Sequence, residues 1–173
     1  MPKRATSRKT SSRKTLKKNK LWPHKYYRGL TRKQALERKA EIKKFGALDS
    51  RNPKAYVGFK TDKYAKTKKK SQYTAKWEKL FPDAKSLKER SKVTGVPEKY
   101  LLKVGNKAMA AWRSGHRAGI SQQQWMYPRI SSYLLCGKAH YTADAKLVRE
   151  AKKESASARK WFKRCKTSKA TKI

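Results

Sequence analysis

Cys136, His140, His116 and Cys165 are of the residue types that hold zinc. Cys136 and His140 stand in a C-x3-H spacing, but no second ligand pair follows at a usual separation, so the four do not read as a metal site. General acid–base catalysis needs two acids held close together. The eleven Asp and Glu are mostly scattered beside lysines, where they neutralise helix faces. GxSxG, HExxH and GxxxxGK followed by Ser or Thr are all absent. No catalytic residue, metal, cofactor or small-molecule substrate is therefore expected.

Polyanion binding is the chemistry the sequence does offer. Forty-nine Lys and Arg give 173 residues a net charge of +38. A compact body with that surplus repels itself and calls for a polyanion or acidic protein surfaces around it. The densest cations form an acid-free arm: Lys3, Arg4, Arg8, Lys9, Arg13, Lys14, Lys17, Lys18 and Lys20. Ser and Thr fill the gaps, and such a segment stays extended until it meets phosphate or carboxylate. A nuclear-localisation or solubility tail is the plainer reading of the same residues. Trp22, Tyr26 and Tyr27 follow, outside any strong helical pattern, and are expected to anchor onto a partner. Lys66, Lys68, Lys69 and Lys70 form a second basic run, read as a solvated or phosphate-facing loop.

These groups are carried by a mostly α chain, expected as a small irregular body of about four to six helices with a long extended N-terminal arm and a loop connector. Residues 1–30 form the arm, 31–46 a helix, 47–72 the connector and 73–173 the helical body. Thr31 with Gln34 makes a capping box, and Gly46 ends that helix. A short strand over 55–60 is an option in the connector. In the body, Tyr73, Trp77, Leu80 and Phe81 mark one helical face. Asp83 caps a short helix that Gly95 closes, and Pro97 starts the next, with Leu101, Val104, Ala108, Met109 and Trp112 as its buried stripe. Ser121 with Gln124 opens a further helix that Pro128 should kink. Thr142 caps a last helix with the stripe Leu147, Ala151, Ser155, Ala158, Phe162 and Cys165. Hydrophobic residues make up 36% of the chain, enough for a modest core. No apolar run approaches the ~18 residues of a membrane span. The basic N-terminus has no apolar stretch behind it, so no secretory signal is expected. Two cysteines make no disulfide framework; Cys136 and Cys165 are read as reduced, part-buried thiols, in keeping with synthesis in cytosol or nucleus.

The segment Trp112-Arg113-Ser114-Gly115-His116-Arg117-Ala118-Gly119 leads through two glycines into Ser121-Gln122-Gln123-Gln124-Trp125. Arg113, His116 and Arg117 can donate to carboxylates, phosphates or helix-end carbonyls. We read the segment as an internal helix-turn-helix staple. A DNA-reading helix-turn-helix, with Gln122 to Gln124 at base edges, is the sharper alternative, disfavoured by the long turn and by Pro128.

Gly95-Val96-Pro97, the run Ala110 to Arg117, Gln123-Gln124-Trp125, Ser131 to Leu134 and Thr142-Ala143-Asp144 together resemble a family of small basic proteins of nucleocytoplasmic large DNA viruses, including the algal phycodnaviruses. Phe59 to Asp62 and Ser71 to Thr74 look similar too. The resemblance is most specific at Trp112, Arg113, Gly115, His116, Arg117, Gln124 and Trp125. Ala118, where the family has Pro, and Pro128, where it has a small residue, depart from it. The resemblance brings no catalytic residues. It implies a virion or viral-factory protein, in host cytoplasm or nucleus during assembly and in the capsid interior afterwards. The expected role is a minor capsid protein linking major-capsid-protein capsomers and other minor capsid proteins. Genomic DNA or inner-membrane phosphates are further expected contacts. A virion DNA condenser is the alternative, and a ribosomal-type RNA-binding protein is the third reading.

Overall fold

The computed structural model describes residues 24–49, 51–65 and 70–165. The basic arm, Trp22, Lys66, Lys68 and Lys69 lie outside the described residues. Helices account for the architecture, and no strand occurs among the described residues.

Helix α1 (Arg32–Gly46) starts at the Thr31–Gln34 capping box. Its apolar edge is narrow, yet Ala35, Arg38 and Ile42 are buried. The next stretch, expected as a loop connector with an optional strand over 55–60, is instead two 3-10 turns, Pro53–Tyr56 and Lys60–Tyr64. Asn52 caps the first turn, and Pro53 presets its φ. Ala55, Phe59 and Thr61 are buried, so this segment packs as part of the body.

Ser71 caps α2 (Gln72–Leu80), which buries Trp77 but leaves Leu80 half exposed, off the face expected for it. Ser86 and Glu89, rather than Asp83, cap α3 (Leu87–Thr94). Gly95 closes that helix at φ +66, and a Cβ there would sit 2.6 Å from Ser157 Cβ, so glycine is needed twice over. Helix α4 (Glu98–Ser114) is central. Leu101, Val104, Ala108 and Trp112 form its inward stripe. Gly105 lets α5 (Gln122–Leu134) approach, since a Cβ would meet Met126 Sδ at 3.1 Å. Helix α5 begins at the Ser121–Gln124 capping box and continues through Pro128.

The long last helix expected from Thr142 is two helices. After the single-turn α6 (Lys138–Tyr141), α7 (Ala145–Glu154) starts behind Asp144, not Thr142. Ser155 is extended and caps α8 (Ala156–Lys163) through Ala158 N–H. A serine in the apolar stripe was thus a cap; its hydroxyl competes for backbone donors. The main core gathers Trp77, Val96, Leu101, Val104, Ile130, Tyr133, Leu134, Val148, Ala151 and Phe162 from α2, α4, α5, α7 and α8, with Val96 from the turn before α4.

Cys136 and Cys165 form a disulfide, which corrects the reading of two free thiols. The turn after α5 and the turn after α8 bring their Cα atoms to 5.3 Å, within bridging range. Composition speaks to compartment and cannot see that meeting of two helix ends. Among the described residues, no helix is long and apolar enough to cross a membrane.

Candidate polyanion surface and its buried ionic centre

Arg38 is fully buried on the inner side of α1. Its guanidinium donates to Asp62 Oδ1 at 2.9 Å, to Thr61 Oγ1 at 2.9 Å and to the His116 carbonyl at 2.7 Å. It also lies 4.9 Å from the Phe59 ring centroid. His116, equally buried, faces Asp62 Oδ2 at 2.8 Å with Nε2 and the Trp112 carbonyl at 2.9 Å with Nδ1. Its ring stacks on Trp112, with centroids 4.1 Å apart. Gly119 N–H reaches Asp62 Oδ1 at 3.0 Å from a left-handed turn, φ +74. Phe59 N–H completes the carboxylate's set. Glu41 closes the far side by accepting from Thr61 Oγ1 and from the Lys60 and Thr61 amides.

Burial raises the Asp62 pKa, but His116, the Gly119 amide and Arg38 together outweigh that and hold the carboxyl below its ordinary range. Both of its oxygens are occupied, so it offers no free base. The centre is a clasp: it fixes the 3-10 segment to α1 and to the turn between α4 and α5.

Two further buried ions are handled differently. Asp144, fully buried, takes a two-pronged contact from Arg129 at 2.8 Å per bond, with Lys107 at 3.2 Å. Arg90 is 4% exposed and has no carboxylate partner among the described residues. It lies over Trp77 at 4.6 Å and Tyr127 at 4.9 Å and donates to Ser131 Oγ. Burial lowers its pKa to about 10, with Tyr127 and Glu78 opposing.

The segment singled out as a motif therefore turns inward. Trp112 donates through Nε1 to the Ile120 carbonyl, Arg113 to the Leu48 carbonyl, and Gly115 ends α4. Gln124 is engaged in its capping box, and Gln122 donates to the Tyr56 carbonyl at 2.6 Å. Two of the three glutamines expected as base readers, Gln122 and Gln124, thus already hold internal bonds. Arg117 is exposed, and Trp125 is half buried. Tyr27, expected as a free anchor, is buried in the chain's own body at 5% exposure; Tyr26 is half buried. Lys70 is exposed and pairs with Glu78 at 2.9 Å. The zinc-type side chains have other partners: the disulfide for both cysteines, Asp62 for His116, and the Tyr133 carbonyl for His140.

Sequence reasoning missed Arg38, Glu41, Asp62, Arg129 and Asp144. One signal was available: Arg38 lies between Ala35 and Ile42 on the only apolar edge of α1, where a cation needs a partner.

Seven of the eleven acids are engaged within the protein: Glu41, Asp49, Asp62, Glu78, Glu89, Asp144 and Glu154. Most of the forty-nine cations therefore have no carboxylate left to meet. A family model described as a family of unknown function (DUF5824) matches residues 23–155. No curated protein and no solved structure matches the chain.

Proposed function

The chain belongs to the DUF5824 family of unknown function, and from that premise we propose that it is a non-enzymatic structural protein of a large DNA virus. It is a minor capsid protein on the inner face of an icosahedral shell, cross-linking capsomers and other minor capsid proteins. The observation that carries this reading is the division of charge. Seven of the eleven acids are engaged in clasps, caps and ion pairs of the protein's own, so the body meets its surroundings with a large surplus of cations. Self-repulsion destabilises such a body, and fixed negative partners relieve it. The resemblance of the Trp112–Trp125 segment to small basic proteins of large DNA viruses suggests the setting. Residues 1–20, with nine cations and no acid, supply reach across several partners.

The test is fractionation of virus particles. Particles are opened and treated with nuclease, and the emptied shells are recovered. The protein is expected to remain with the shells and to cross-link to major capsid protein. Loss of the protein together with the digested genome would replace this reading with that of a DNA condenser.

A further inference from the structure

The corner between α7 and α8 holds an open groove of about 500 Å³ lined by Lys152, Ala156, Arg159, Lys160 and Lys163. Four of its five lining residues are cations and none is an acid. The acid closest in sequence, Glu154, is turned away toward α4, where it accepts from Tyr100 at 2.7 Å and pairs with Lys99. No Asp or Glu follows it to the end of the chain. Arg159 is exposed and is held by a hydrogen bond from Nε to the Lys152 carbonyl, which ties the two walls together.

We propose that this groove binds the phosphodiester backbone of double-stranded nucleic acid, without reading sequence. Arg159 and Lys163 are one helical turn apart, about 6 Å along α8, with Lys160 beside them and Lys152 opposite. That density of cations asks for a closely spaced line of anions, and a duplex presents one charge per ~1.7 Å of its axis. An acidic protein surface fits less well. Protein interfaces bury aromatic and aliphatic anchors at their centre and are depleted in Lys there. This groove has only the Ala156 methyl and lysine stems as its apolar floor. The nearby Trp161 is half buried and lies outside this groove's lining; Arg164 lies 3.3 Å from its ring centroid, and its N–H is bonded to the Leu134 carbonyl. The proposal goes beyond the capsid reading and does not depend on it.

The test uses the full chain and a short fluorescent DNA duplex over a KCl series. A groove variant carries Lys152→Gln, Arg159→Gln, Lys160→Gln and Lys163→Gln. A matched variant carries Lys33→Gln, Lys43→Gln, Lys54→Gln and Lys76→Gln, all exposed positions elsewhere. If the groove tracks phosphates, its variant loses about tenfold more affinity than the matched one, and its log–log salt slope falls by about 3.6. Equal losses in the two variants would overturn the proposal, because net charge alone would then explain binding. Poly-glutamate serves as the protein-like probe. A groove variant that loses poly-glutamate binding as severely as duplex binding would assign the groove to acidic protein instead and also overturn it. Should the quadruple groove variant fail to fold, as judged by far-UV circular dichroism, the pair Lys160→Gln and Lys163→Gln carries the same comparison with about half the slope change.

Discussion

The Asp62 clasp and the α7–α8 corner treat positive charge in opposite ways. At the clasp, Arg38 and His116 are both fully buried, and an acid, a hydroxyl and backbone groups surround them. At the corner, four cations share a groove with no acid. The difference follows from magnitudes. An exposed ion pair contributes ~0–1 kcal/mol, so an acid placed at the corner would stabilise little. A buried cation stripped of its partner costs about 3–5 kcal/mol. With eleven acids for forty-nine cations, Asp62 stands where Arg38 is dehydrated, and most exposed cations have no carboxylate to meet. Arg90 is the intermediate case: two aromatic faces and a serine hydroxyl stand where an acid would.

The strongest way to break this comparison is Asp62→Ala. The carboxylate is one quarter exposed, but its two side-chain partners Arg38 and His116 are fully buried. A loss of about 3 kcal/mol is expected in urea unfolding at neutral pH, near the low end of the range for a broken buried pair. Glu78→Ala, which removes the exposed Lys70 pair, should cost less than about 1 kcal/mol. Equal losses from the two would erase the distinction between the regions. Acid reaches the same lesion. Because the Asp62 pKa is lowered on folding, its contribution is fully present above the unfolded carboxyl value of ~3.9 and is lost as pH falls through the folded value. Asp62→Ala should lack that component of the acid transition.

The disulfide comes next. It spans 29 residues and links the turn after α5 to the turn after α8, so it anchors the helix that carries the cationic groove. Cys136→Ser with Cys165→Ser should lower stability by about 2–3 kcal/mol. A thiol reductant should destabilise the wild-type chain and leave the double variant unchanged. A wild-type chain indifferent to reductant would mean that the corner is held by helix packing alone.

Helix positions were legible where caps and periodicity agree. Thr31 with Gln34 and Ser121 with Gln124 appear as expected, as does the α4 stripe except for Met109, which is only half buried. The misses share a cause: their partners are distant in sequence. Asp62 meets residues 24 and 54 positions away, and Cys136 meets Cys165 across 29. Local pattern also could not show that Phe59 and Thr61 dock, because a 3-10 turn has no long period to detect. Ser155 misled because one serine at helical spacing reads as part of a stripe until its backbone is seen. At the corner, the apolar stripe is the stronger periodic signal, and Arg159, Lys160 and Lys163 read only as the solvated face of the last helix.

The smallest expected effect sharpens the contrast from the corner's side. Lys160→Gln with Lys163→Gln removes two exposed cations from α8. Relief of like-charge neighbours at i,i+3 and i,i+4 should stabilise by ~0.2–0.5 kcal/mol per pair. Both residues lie in the last turns of the helix, where its dipole favours cations by ~0.3–1 kcal/mol at low salt. These terms oppose each other and are both screened, so the urea midpoint should move by less than about 0.5 kcal/mol in stability at moderate salt. A loss above about 1 kcal/mol would make these lysines part of the scaffold, like Arg38. A near-zero change in stability alongside weakened duplex binding separates cations that hold the fold together from cations left for a partner.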